Sequence, residues 1–278
     1  MDREQIILRC SHAAYKMRKN ALKMSLAAGK NGAHLGGGLS MIEIMATLYM
    51  GVMNYKKSDL HWEERDRFIL SKGHGVLALY TALEQAGILA EHELLEFKSN
   101  KTFLTGHPTM NIDKGIEFSS GSLGQGLSLG VGTCLALRRK GNTKSKCYVL
   151  LGDGECNEGS VWEAAMCANQ YNLNRLVAVI DSNKLQYDGE TSEIMGMDNM
   201  KMRWEAFGWK ALGVDGHDIG QLYDALTYAS DKPLVVIADT VKGKGISFME
   251  NNPVWHHAVL TQRQYEQAMN ELEEKNGI

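Results

Sequence analysis

The residues best suited to chemistry follow two apolar runs of the sequence. The run CYVLL leads directly into Gly152, Asp153 and Gly154, and the run LVAVI ends shortly before Asn183. Because the carboxyl ends of parallel strands meet at one sheet edge, Asp153 and Asn183 are expected to converge. Their oxygens, with the nearby backbone carbonyl of Leu185, suit Mg²⁺ whose remaining ligands are phosphate oxygens. The pattern therefore predicts a site for a divalent metal and a diphosphate.

A Gly-Asp-Gly sequence at a strand end also has an ordinary structural explanation. Asp and Gly are common in tight turns, and this motif alone would favour a structural turn. The second strand-like run, which ends in Asp-Ser-Asn, shifts the preference towards ligand binding.

Four loops carry histidines that packing does not require. Imidazole groups in loops at the ligand edge of a sheet can meet hydroxyl, carbonyl and phosphate groups. One such histidine would more simply be structural, but four in similar settings together indicate a binding site. The loops are 31–34, 71–75, 105–108 and 253–257.

A glycine-rich segment, GSLGQG at 121–126, precedes a predicted helix. Free backbone N–H groups at a helix start can face a ligand, although glycines there also permit tight packing. Glu158 lies near the start of the next predicted helix, where a carboxylate can simply stabilise the helix dipole.

Alternating strands and helices must position these loops. A long amphipathic helix is predicted over 2–28, and a second over 40–53 with Ser40 as N-cap and Glu43 completing a capping box. The remaining pattern predicts an α/β fold, a parallel sheet with helices on both faces, in one domain spanning 1–278. The other predicted strands are 68–70, 116–118, 147–151, 176–180, 209–214 and 234–238, and the other helices are 76–86, 123–139, 160–171, 219–229 and 261–275.

Composition narrows the classes of function. The chain has 278 residues, 44% of them hydrophobic, and a net charge of -3, so no basic footprint for nucleic acid is expected. No apolar run reaches the roughly 20 residues of a membrane span, and charge at the N-terminus argues against a signal peptide. Five cysteines without a Cys-x-x-Cys pair favour the cytoplasm.

These motifs together resemble the thiamine diphosphate enzymes, in the form used by transketolases. The segments that carry this resemblance are GDGECNEGSVWEAAMCANQYNLNRLVAVIDSN, LSKGHG, TGHP, GSLGQG and KGKG, with WHH further along the chain. The resemblance covers essentially the whole chain, but only the diphosphate-binding half of an ordinary transketolase. Leu35 and Ser122 stand where proline is usual. His257 stands where glycine is usual, which leaves open whether His256 or His257 faces the substrate.

The resemblance implies a cofactor, thiamine diphosphate, with Mg²⁺ or alternatively Ca²⁺ or Mn²⁺. The implied metal ligands are Asp153, Asn183 and the carbonyl of Leu185. The implied cofactor contacts are His74, Gly121, Leu123, Gly152, Asp153, Gly154, Glu158 and Asn183. The implied catalytic residues are His34, His107 and His256, which would move protons at substrate oxygens, and Glu158, in an acidic relay between two active sites.

The implied reaction moves a two-carbon ketol unit from a ketose phosphate to an aldose or its phosphate. In this family a glutamate on a second, pyrimidine-binding domain activates the cofactor, and nothing in the sequence resembles that domain. We therefore expect an N-terminal subunit of a split transketolase, active only with a C-terminal subunit in a two-plus-two heterotetramer. The alternatives are a deoxyxylulose phosphate synthase-like or other sugar-specialised subunit, and a non-catalytic regulatory subunit of the same fold.

Overall fold

A five-stranded parallel sheet positions the glycine and histidine loops in the computed structural model, which describes residues 1–275. The strands are β1 (Arg67–Leu70), β2 (Cys147–Gly152), β3 (Leu176–Ser182), β4 (Lys210–Asp215) and β5 (Leu234–Asp239). Across the sheet they lie in the order β1-β2-β3-β5-β4, and every neighbouring pair is parallel. The predicted parallel α/β sheet is therefore confirmed.

Helices connect the strands and cover the sheet. They are α1 (Arg3–Ala27), α2 (Leu35–Leu39), α3 (Ile42–Thr47), α4 (Val76–Gln85), α5 (Gly126–Arg139), α6 (Gly159–Gln170), α7 (Thr191–Met195), α8 (Met200–Ala206), α9 (Ile219–Thr227) and α10 (Gln262–Lys275). A single π-helical turn, Leu48–Val52, continues α3. The short helices α7 and α8 had no counterpart in the sequence prediction.

Successive side chains of the buried strands enter two separate hydrophobic cores. In β2, Tyr148 and Leu150 pack with α1, α3, α4 and α9, whereas Val149 and Leu151 pack with α5, α6 and α8 on the opposite face. A strand buried on both faces needs apolar residues at every position, which explains the continuous Val, Ile and Leu runs.

The predicted start of the second helix was wrong. The chain is already helical over Leu35–Leu39, Ser40 is the C-cap residue of that helix, and its side chain makes no N-cap hydrogen bond to α3. Its hydroxyl instead donates to a carboxylate oxygen of Asp181 at 2.6 Å, while Glu43 pairs with Arg18 at 2.7 Å. Three glycines, Gly36, Gly37 and Gly38, lie within α2. They allow close packing, since a Cβ on Gly36 would lie 2.9 Å from a backbone oxygen.

The strand predicted at 116–118 was also wrong. Ile116 forms only an isolated antiparallel bridge with Asn111, across a turn that contains Gly115 with a φ of 74°. A short apolar run can anchor a loop as well as enter a sheet, and periodicity does not distinguish the two.

The C-terminal helix packs on the first helix of the chain. Lys19 of α1 forms an ion pair with Glu273 of α10 at 3.0 Å, and Leu272 of α10 is buried in the core below α1. Among residues 1–275 there is no helix both long and apolar enough to cross a membrane.

Candidate functional site

Strand register brings the two sequence motifs together at the carboxyl edge of the sheet. Gly152 of β2 lies opposite Asp181 of β3, and the Asp153 amide donates to the Asp181 carbonyl at 3.2 Å. The Asp153 carboxylate then accepts from the backbone N–H of Lys184 at 2.6 Å. Asp153 and Asn183 therefore lie in two loops that are directly hydrogen-bonded to each other.

The Asp153 carboxylate is buried and has no ion-pair partner among the described residues. It is 6% exposed and accepts from the Gly154 amide at 2.7 Å. Burial raises the pKa of Asp153, and the nearby Asp181 raises it further. No side-chain cation in residues 1–275 lies within ion-pair distance of it. Because a buried carboxylate of this kind is stabilised by a counter-charge, the position fits a metal ion.

Two further oxygens predicted as metal ligands lie beside Asp153. The Asn183 side-chain oxygen accepts from the Leu185 amide at 3.1 Å, and the Asn183 nitrogen donates to Asp181 at 3.1 Å, which fixes the amide orientation. The Leu185 carbonyl accepts from Lys242 at 3.0 Å and keeps a second lone pair. The described residues hold no cluster of three or more His, Cys, Asp or Glu suited to a metal. A metal here would therefore take further oxygens from a ligand such as a diphosphate.

A buried ion pair joins Lys72 and Asp181 next to the residues predicted as metal ligands. The sequence motifs did not predict this pair. Lys72 is 1% exposed and Asp181 is fully buried. Burial would raise the pKa of Asp181, but the Lys72 ammonium and the hydroxyls of Ser40 and Thr240 hold it below its usual value. Lys72 also donates to the Gly37 carbonyl at 2.9 Å. The pair thereby joins the strand edge to α2.

Glu155 was not predicted either, although it immediately follows the Gly-Asp-Gly motif. Its carboxylate accepts from the amides of Gly124 at 2.8 Å and Gly152 at 3.0 Å, and from the Ser71 hydroxyl. Burial raises the pKa of Glu155. The side chain therefore connects three loops of the site, and only the fold could reveal its partners.

Lys242 connects the loop that carries the predicted metal ligand Leu185 with the histidines. Its ammonium donates to the carbonyls of Leu185 and Gln186, at 3.0 and 3.1 Å, and lies 3.0 Å from Nδ1 of His256. Burial, with Lys72 nearby, lowers the pKa of Lys242 to about 8. The side chain is still mostly protonated at neutral pH, so it donates to His256 rather than accepting from it.

The four predicted histidine loops bring their imidazoles together around His34. The ring centroid of His34 lies 5.4 Å from that of His74, 5.7 Å from that of His107 and 5.5 Å from that of His256. Burial, with the neighbouring histidines, lowers the pKa of His34 to about 3, and burial, with the ammonium groups of Lys242 and Lys72, lowers that of His256 to about 4. The rings are therefore neutral at physiological pH and can either donate or accept a proton.

His256 and His257 occupy different places. His256 lines the cleft beside Tyr187, whose ring centroid lies 5.0 Å from its own. His257 is exposed, and its ring lies 4.6 Å from that of His34 on the outer side. The structure thus places His256 towards the interior of the cleft and His257 at its rim.

The GSLGQG loop forms another wall of the cleft and leads into α5. Gly124 has a φ of 82°, and a Cβ there would lie 2.8 Å from the side chain of Glu158, so both backbone shape and space require glycine. Gly121 and Leu123 line the cleft. Glu158 is the N-cap residue of α6, but its exposed side chain makes no capping hydrogen bond and faces the same cleft.

One cleft of about 510 Å³ contains all these predicted residues. Two buried polar atoms on its wall, the side-chain oxygen of Asn157 and the side-chain nitrogen of Gln186, have no hydrogen-bond partner in the described part of the chain. Buried polar groups are normally satisfied, so both fit a site that receives a polar ligand. The predicted residues brought to this cleft are His34, His74, His107, Gly121, Leu123, Gly152, Asp153, Gly154, Glu158, Asn183, Leu185 and His256.

The buried histidines predict an acid-sensitive fold. In the unfolded chain, histidine has a pKa of about 6.5, whereas folding lowers that of His34 to about 3. Between these values the unfolded chain binds a proton that the folded chain does not, so the free energy of unfolding falls as pH decreases from about 6.5. His34→Gln should make this decrease shallower in urea unfolding measured across that pH range. Equal slopes for both proteins would contradict the prediction.

The fold and the cleft define an α/β protein that presents carboxylate, amide and carbonyl oxygens together with histidines at the carboxyl edge of a parallel sheet. Comparison with known proteins makes this more specific. The family model for the transketolase thiamine diphosphate binding domain matches residues 12–276. The chain belongs to the transketolase family and corresponds to its thiamine diphosphate-binding portion, as the motifs predicted.

Named relatives and a solved structure agree with this family. An apulose-4-phosphate transketolase subunit of Phocaeicola vulgatus is 42% identical, over 94% of this chain and 92% of the relative. The 6-deoxy-6-sulfo-D-fructose transketolase subunit SqwG of Clostridium sp. is 39% identical over the full length of both. The transketolase structure from Campylobacter jejuni superposes with a TM-score of 0.84 at 28% identity, over 99% of this chain and 43% of that one. The chain thus matches whole relatives named as subunits but under half of that transketolase.

Proposed function

We propose that this chain forms a single diphosphate-binding domain over 1–278 and acts as the N-terminal subunit of a sugar-specialised transketolase. It would transfer a two-carbon ketol unit from a ketose phosphate to an aldose or aldose phosphate, together with a C-terminal subunit. The observation that carries the proposal is the buried carboxylate of Asp153, which forms no ion pair within residues 1–275 and lies in the same cleft as the histidine cluster around His34.

Asp153, Asn183 and the Leu185 carbonyl would hold Mg²⁺, or Ca²⁺ or Mn²⁺, and through it the diphosphate of thiamine diphosphate. His74, Gly152 and Gly154 would contact the diphosphate. Gly121, Leu123 and Glu158 would contact the ring that lies towards the partner. When bound, thiamine diphosphate supplies the carbon nucleophile that cleaves and forms the carbon-carbon bond. The unpartnered Asn157 and Gln186 atoms support a polar occupant.

The neutral histidines would move protons at substrate oxygens. Because Lys242 donates to Nδ1 of His256, the ring proton resides on Nε2, which can donate to a carbonyl oxygen. His34 and His107 would act from the neighbouring wall of the cleft. Low histidine pKa values keep these rings uncharged, so each presents one N–H donor and one acceptor nitrogen to the substrate oxygens.

The partner subunit would complete the site by supplying the pyrimidine-binding domain. We propose a heterotetramer of two plus two subunits. In this assembly Glu158, exposed at the cleft, would meet the neighbouring subunit and take part in an acidic relay. Relatives of similar length are themselves named as transketolase subunits, which supports an assembly of separate chains.

Sugar specialisation is supported by those same names. One relative is named for a phosphorylated sugar, apulose 4-phosphate, and another for a sulfonated sugar. We also propose a cytoplasmic location and a role in pentose phosphate or related sugar metabolism, with no nucleic acid or membrane partner. The cysteines of the described residues are all unpaired, which supports a reducing compartment.

Reconstitution tests the proposed function. The purified chain should transfer no measurable ketol unit from xylulose 5-phosphate to an aldose. Adding the C-terminal subunit with thiamine diphosphate and Mg²⁺ should produce transfer, because the cofactor is activated from the second subunit. Full turnover by the chain alone would overturn the split arrangement. A complex that binds cofactor but transfers nothing across a panel of sugars would favour a regulatory subunit.

A further inference from the structure

We propose that Lys98 and His257 form a subsite for the anionic end of the sugar substrate, at the rim of the cleft. The inference rests on the proposed ketol transfer and names the part of the substrate that this chain recognises. Neither residue is among the predicted metal, cofactor or proton-transfer groups. The His257 ring centroid lies 4.6 Å from that of His34, and the Lys98 ammonium approaches His257.

Lys98 is held in place by the backbone around it. Its ammonium donates to the carbonyls of Gly32 at 2.9 Å and Asn31 at 3.2 Å, and lies 3.5 Å from Nε2 of His257. Its own backbone has a φ of 57°, a left-handed conformation that lysine rarely adopts. An ammonium has three donors, and two are used by carbonyls. The third points towards His257 and can be shared with a bound anion.

The charge of Lys98 has no counter-charge. Within residues 1–275 it forms no ion pair, and burial lowers the pKa of Lys98 with no carboxylate to raise it. The titratable groups that face it are the imidazoles of His34, His107 and His257, each of which has its pKa lowered in part by Lys98. A half-buried cation among neutral rings attracts an anion, and a tetrahedral oxyanion such as phosphate can accept from several donors at once.

The loop that carries His257 is joined by two hydrogen bonds to the loop whose carbonyls bind Lys98. The amide of Ala33 donates to the Ala258 carbonyl at 2.9 Å, and the amide of Ala258 donates to the Ala33 carbonyl at 3.1 Å. A Cβ on Gly32 would lie 3.0 Å from the His257 ring, so glycine makes room for the imidazole. The ring is therefore built into the rim, where its neutral N–H can donate to the same anion as Lys98.

The test compares acceptors with and without a phosphate in the reconstituted complex. Lys98→Met should lower kcat/KM for ribose 5-phosphate by about 10- to 100-fold more than for ribose, because a charge-assisted hydrogen bond is lost. His257→Gly and His257→Asn should shift the same ratio in the same direction by a smaller factor. Lys101→Met is the matched control, since Lys101 is exposed, follows Lys98 by three residues and also has a positive φ, 68°. It should leave the ratio unchanged.

Equal losses for both acceptors, or the same shift with Lys101→Met, would overturn the subsite. Titration of the complex with inorganic phosphate gives a readout independent of turnover. Phosphate should bind the wild type more tightly than Lys98→Met. If no sugar supports ketol transfer but phosphate binding still depends on Lys98, the proposed function fails and the anion subsite stands. If ketol transfer occurs but Lys98→Met binds phosphate as tightly as the wild type, the subsite is refuted and the proposed function stands.

Discussion

Asp153→Asn is expected to abolish ketol transfer by the reconstituted complex. The substitution keeps the size of the side chain and an oxygen that can accept from the Gly154 or Lys184 amide, but it removes the buried negative charge. Mg²⁺ strongly prefers carboxylate oxygens, so its affinity should fall by at least about a hundredfold. Calorimetric titration with thiamine diphosphate and Mg²⁺ measures the loss directly.

Thermal unfolding separates this effect from damage to the fold. Saturation with a ligand at about 100 times its Kd stabilises a protein by about 2.7 kcal/mol. The wild-type complex should gain such a shift from cofactor and metal, whereas Asp153→Asn should gain almost none. Without cofactor the variant should be at least as stable as the wild type, because burial and Asp181 disfavour the charge of Asp153. Asp231→Asn, on an exposed loop, is the control, and wild-type cofactor affinity in Asp153→Asn would refute the assigned metal site.

Lys72→Met is expected to have the largest effect on stability. It leaves the fully buried Asp181 carboxylate without its ammonium partner, and breaking a buried pair in this way typically costs about 3–5 kcal/mol. Urea unfolding should show that decrease. The double variant Lys72→Met/Asp181→Asn should recover part of it, because the unpaired charge is then removed as well.

Lys184→Met provides the matched comparison. Lys184 pairs with Asp239 at 2.7 Å at the same edge of the sheet, but the two side chains are 69% and 62% exposed. An exposed pair contributes only about 0–1 kcal/mol, so this variant should unfold almost like the wild type. If Lys72→Met were no more destabilising than Lys184→Met, the inferred importance of the buried pair would be wrong.

Local sequence predicted the sheet because burial on both faces leaves a continuous apolar run in each strand. The prediction failed where residues with a local capping pattern make tertiary contacts instead. Ser40 and Glu43 have the spacing of a capping box, yet Ser40 donates to Asp181 and Glu43 pairs with Arg18. Those partners lie on other elements, so a rule that considers only residues 40–53 cannot identify them.

The sequence by itself determined the family, many of the residues that line the cleft and the two loops that present the oxygens proposed to bind a metal. It could do so because each motif is a contiguous loop whose chemistry can be recognised without its neighbours. Gly152, Asp153 and Gly154 follow a strand directly, and strand polarity alone directs them to the ligand edge.

Only the tertiary structure decided which charged groups meet at those loops and which contacts join the loops to one another. Lys72 meets Asp181 across 109 residues of sequence, and Lys98 approaches His257 across 159. The fold also placed His256 inside the cleft and His257 at its rim. The sequence could not distinguish the two, because they are adjacent residues of the same type. Such contacts depend on the packing of α2 and the loops against the sheet edge. The burial of Asp153 and the charges around it therefore depend on residues outside the Gly-Asp-Gly motif.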